Sequence, residues 1–162
     1  MREDILRQYF AGHIPVSSLA EDLRGSVAHL DHIRSTIAIE DMQQDFVVRR
    51  NHILMLCDAF FASTLDAEGL NTIAFALLAS DRFELDGDDE PLLEVVHDWS
   101  TPEINFPLNE GTVSMHRRWL TGNESPPNRR TPASSSAAGG VVSVRTKIEP
   151  PRPLLPIRIG TE

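Results

Sequence analysis

Every Phe, Trp and Tyr of this 162-residue chain lies between Tyr9 and Trp119. Beyond residue 122 there are none, while seven of the eleven prolines fall there, together with the run SSSAAGG at 134–140. A segment of that composition cannot bury enough apolar surface to offset the entropy of ordering it. Residues 123–162 are therefore expected to be a disordered Pro/Ser/Gly-rich tail. What folds is residues 1–122, enough chain for one modest core.

Charge divides along the same boundary. Residues 1–122 carry 21 Asp and Glu against 9 Arg, whereas the tail carries 3 acids and 6 basic residues. An acidic body argues against nucleic acid and anionic membranes as partners, because phosphate contacts need clustered Lys and Arg. It favours cationic partners, whose approach is accelerated at low salt. The lone cysteine, Cys57, allows no intramolecular disulfide and suits a reducing compartment. The opening MREDILRQYF has acids where a signal peptide has an apolar run, and no stretch reaches the ~20 apolar residues of a membrane span. A cytoplasmic protein, monomeric, is the expectation.

Apolar periodicity and punctuation predict an all-α domain, a small antiparallel bundle of five to six helices. Residues 3–11 form the first, ended by Gly12. Ser18 and Glu21 have capping-box spacing for a second helix running to about Arg24. Residues 26–40 read either as helix or as helix followed by an extended piece. The strongest signal is 42–63, where Phe46, Val47, Ile53, Leu54, Cys57, Phe60 and Phe61 fall on one stripe of a core helix. Asp66 caps a helix over about 67–80, Pro91 opens a short one, and Asn109 caps the last, with Leu108 and Val113 as a hydrophobic staple and Gly122 just past its end. Between the last two, Ile104 and Phe106 are expected to anchor an extended, proline-braced loop.

The stretch FELDGDDE at 83–90 sets five carboxylates in eight residues. As a calcium loop it fails: with Gly87 at the sixth position, the first and twelfth are Arg82 and Leu93, neither of them a suitable ligand. The histidines show no HExxH pair, His29 and His32 meet Asp31 only awkwardly, and one cysteine cannot build a zinc cluster. Cys57 sits on an apolar stripe, where a thiolate is disfavoured, so it reads as core rather than nucleophile. Nothing has the form of a phosphate loop or a nucleophile elbow. No catalytic residue, metal or cofactor is assigned, and an enzyme is not expected. The remaining readings of the run are a solvated turn and a docking surface. The second is favoured because residues 81–110 hold ten acids and a single base, Arg82, beside the rigid neighbours Trp99, Pro102, Phe106 and Pro107. Glu84, Asp86, Asp88, Asp89, Glu90, Glu94 and Asp98 are the candidate partner-binding residues. Metal binding or hydrolysis by these acids, and an adaptor domain whose PPRPLLPIRI tail enters another protein's groove, are the alternatives.

Two segments resemble the colicin D-like immunity proteins of bacteria: DILRQYFAGHIPVSSLAEDL near the start, and LLASDRFELDGDDE through HDWSTPEINFPLNEGTVSMHRRWL. The resemblance implies a small acidic helical bundle that covers the positively charged active site of a tRNA-cleaving toxin, its carboxylates standing in for RNA phosphates.

Overall fold

The computed structural model describes residues 1–24, 26–29 and 35–127, for 27–29 and 35–37 the backbone only. Most of the 123–162 tail, including its proline-rich end, lies outside the described residues. The body is mainly helical, as expected, but two small two-stranded sheets are built into it, so it is not purely all-α.

Helix α1, Glu3–Phe10, has Glu3 and Asp4 in its first turn, where the helix dipole favours acids, and buries Leu6, Tyr9 and Phe10. Gly12 adopts the left-handed φ of 73° that releases the chain from it. Helix α2, Val16–Leu23, starts three residues earlier than the Ser18–Glu21 spacing suggests. Pro15 is its N-cap, its ring presetting the entry, and the Ser18 N–H already donates to the Pro15 carbonyl at 3.1 Å. Among the described residues of 26–40, the structure places strand and not helix. Strand β1, Val27–His29, runs antiparallel to β2, Ser35–Ile37, with Val27 opposite Ile37, a pairing that suits β-branched residues.

The long helix expected over 42–63 is interrupted. Phe46–Val48 form strand β3, and extended backbone at Arg49 (φ −127°) separates it from α3, Arg50–Phe61. Within β3, Phe46 and Val48 turn inward and Val47 outward, a period of two. Val47 and Phe61 therefore leave the predicted stripe, at 44% and 40% exposure, while Leu56 joins it fully buried. Asp66 caps α4, Ala67–Ala79, by accepting the Gly69 N–H at 2.8 Å. Strand β4, Phe83–Leu85, then pairs parallel with β3, matching Val47 to Glu84. Helices α5, Glu90–Ser100, and α6, Glu110–Leu120, complete the body. Asn109 caps α6 as expected, accepting the Thr112 N–H at 3.1 Å, and Gly122 leaves it with φ 76°. Ile104 is no anchor. It is 76% exposed, and Phe106 alone of the two packs on the core.

The core joins α4 to α2, α3, α5 and β4, with α6 closing over α3 and α5. Burial pushes the Cys57 thiol up to about 12, which makes it inert core rather than chemistry. His52 stacks on Phe10 with ring centroids 5.0 Å apart, and its Nδ1 accepts the Arg49 N–H at 3.0 Å, holding the start of α3. Burial, and then the Arg49 charge, lower its pKa from the usual 6.5. A depressed histidine favours the neutral form, so its contribution is complete above the unfolded-state pKa and is lost as pH falls below about 6.5. Thermal unfolding between pH 7.5 and 5 should show this as a falling midpoint. His52→Gln, which keeps an acceptor without the titration, should have a shallower slope; equal slopes would refute the assignment.

Candidate functional site

The acidic run is a strand, a turn and a helix cap in succession. After β4, Asp86 Oδ1 accepts the Asp88 N–H at 3.1 Å, the side-chain-to-backbone bond that makes Asp a turn residue. Asp89 is the N-cap of α5, accepting the Leu92 N–H at 3.1 Å, and Pro91 stands in the first turn behind it. Both Asp89 oxygens also take a hydrogen bond from Arg50 Nε, at 2.8 and 2.7 Å. Part of the self-repulsion is thus relieved by local structure. One candidate carboxylate, Asp89, is neutralised by an internal arginine and does not present free charge.

The other candidates separate by burial. Glu84, Asp86, Asp88 and Glu90 are exposed, and Glu94 is half-buried on α5. Glu90, Glu94 and His97 follow helical spacing along the outer face of α5, so the acid-rich end continues down one stripe of about 10 Å. Asp81, Glu103 and Glu110 add exposed carboxylates around this flank. Arg82 is paired with Asp45 across β3 and β4 at 3.0 Å.

Asp98 does not belong to this surface. It has no exposed area, and its Oδ2 lies 3.1 Å from His116 Nε2. The Trp99 indole N–H donates to His116 Nδ1 at 3.0 Å, which fixes His116 as the Nε2–H tautomer pointing at the carboxylate. His116 also faces the Trp119 ring at 4.9 Å, and all three members of the network are sealed in the core. It holds α5 to α6, while Asn71 of α4 donates to the carbonyls of Trp99 and Ser100 at 2.8 and 3.1 Å. Helix phase carried the signal: Asp98 adjoins Val95 and Trp99, and His116 falls three residues from both Val113 and Trp119.

Beside the exposed carboxylates lies a groove of about 560 Å³, at the carboxyl ends of β3 and β4, whose lining includes Val47, Glu84, Asp86 and Asp89 and two arginines, Arg49 and the Asp89-paired Arg50. Among the described residues, no group of three or more His, Cys, Asp or Glu is placed to hold a metal ion. His29, Asp31 and His32 lie outside the described side chains. No described helix is long and apolar enough to cross a membrane. No family model, curated protein or solved structure matches the chain.

Proposed function

We propose that the protein is a non-enzymatic acidic binding protein that neutralises a basic partner, an immunity-type inhibitor covering the active site of a bacterial tRNA-cleaving toxin in the cytoplasm. The observation that carries this reading is the flank from Asp81 to Glu110, where seven carboxylates are exposed and Arg82, already paired, is the sole basic residue. Carboxylates at that density complement a surface that evolved to hold phosphates. Fixing them on β4, a capped turn and α5 lowers the entropy lost on docking. The resemblance to colicin D-like immunity proteins supports the same reading. Asp98 takes no part in it, and Asp89 serves it only by ordering the turn.

The test is association with the catalytic domain of a toxin encoded beside this chain, followed by stopped flow at several salt concentrations. Glu84→Lys, Asp88→Lys and Glu90→Lys combined should slow association by about tenfold or more and flatten its salt dependence. Each exposed substitution should shift stability by only about 0.5 kcal/mol. An association rate unchanged by the triple reversal would refute the carboxylate surface.

A further inference from the structure

Strand β3 pairs only with β4 among the described residues, so its other edge has no strand beside it. The Phe46 N–H donates to the Arg82 carbonyl at 2.9 Å, towards β4. In a parallel ladder, successive residues turn their backbone groups to opposite sides, so the N–H and C=O of Val47 point away, along the open edge. The Val47 side chain is 44% exposed, and Gln43, Gln44 and Asp45 leading into it are exposed as well. An uncovered edge of this kind is a template for another strand.

The geometry points to an extended segment of the partner, basic at alternate positions, adding as a third strand to the outer edge of β3 with its cationic side chains over Glu84 and Asp86. This rests on the preceding reading of a cationic partner and supplies its mode of capture. Val47 and Glu84 are in register on the solvent face of the pair, so outward side chains of an added strand share that face with both. Glu84 would lie two strand spacings away, about 10 Å, which an extended Lys or Arg meeting a Glu can span. The alternation follows from the strand period of two: only every second side chain of the added strand shares the solvent face with Val47 and Glu84, while the others turn to the inward face with Phe46 and Val48. Backbone pairing supplies affinity in this mode, and the alternating side chains supply selectivity.

The experiment titrates the full chain, labelled with ¹⁵N, with three capped heptapeptides. One alternates lysine with valine, a second carries glutamate for lysine, and a third is the lysine peptide N-methylated at alternate residues so that it cannot pair. The lysine peptide should perturb the amides of 46–49 and 84–86 and slow exchange of the Val47 amide at least tenfold. The other two should do neither. Val47→Pro, which removes only the outward N–H at an edge position that tolerates proline, should weaken the lysine peptide at least tenfold. Equal binding of the N-methylated peptide, or perturbations confined to the α5 stripe at Glu90 and Glu94, would overturn strand addition while leaving the cationic partner standing. If neither the lysine peptide nor polyarginine perturbs any amide, both readings fall together.

Discussion

Asp98→Ala should destabilise the body by about 2–3 kcal/mol, the cost of leaving a buried donor without its acceptor. Asp98 and His116 have no exposed area and lie 3.1 Å apart, so the variant leaves the Nε2–H of His116 without its acceptor in a site water does not reach. The loss propagates, because the same imidazole accepts the Trp99 indole N–H at 3.0 Å and Trp99 is among the largest fully buried side chains. Asp98→Asn retains a carbonyl that accepts from Nε2–H and should cost roughly half as much. Asp88→Ala, on the exposed turn, should stay within about 0.5 kcal/mol. Urea unfolding of the three variants orders them. If Asp98→Ala unfolds no earlier than Asp88→Ala, Asp98 is a surface carboxylate and the buried network is wrong.

That contrast shows what a charge count can and cannot see. Ten acids between 81 and 110 say that the flank is negative, and seven of them are exposed. The count is blind to Asp98, whose position is decided by helix phase: its neighbours Val95 and Trp99 face inward and take it with them. Helices α4, α5 and α6 were legible because their ends carry local chemistry, the Asp66 and Asn109 caps, Pro91, and Gly122 at positive φ. Strand β3 was not. Phe46, Val47 and Val48 suit either period, and their conformation is set by pairing with Phe83, Glu84 and Leu85, 37 positions away. Proline bracing says that the 100–107 loop is rigid, not which of its apolar residues turns inward, and Ile104 turns outward. The groove at the carboxyl ends of β3 and β4 exists only because 46–48 is strand, and helical periodicity over 42–63 gives no sign of it.

Helix α4 is where the second large effect is expected. Leu70, Ile73, Ala74, Ala76 and Leu77 are all at most 2% exposed, so this helix is enclosed nearly all round by α2, α3, α5 and β4. Ile73→Ala removes three carbons from a site with no solvent to fill the gap and should cost about 3–4 kcal/mol, within the range seen when buried aliphatics are truncated to alanine. Leu78→Ala, five residues on and 36% exposed, should cost about 1 kcal/mol or less. The pair also separates scaffold from surface. Because α4 carries both α5 and β4, which bear the exposed carboxylates, Ile73→Ala should lower the thermal midpoint by on the order of 10 °C. Below that transition the carboxylates remain on the same elements, so association with a cationic partner should proceed at the wild-type rate. The Glu84, Asp88 and Glu90 reversals should do the opposite, leaving the midpoint near wild type and slowing association. A slow association rate in well-folded Ile73→Ala would mean that docking depends on core packing as well as charge.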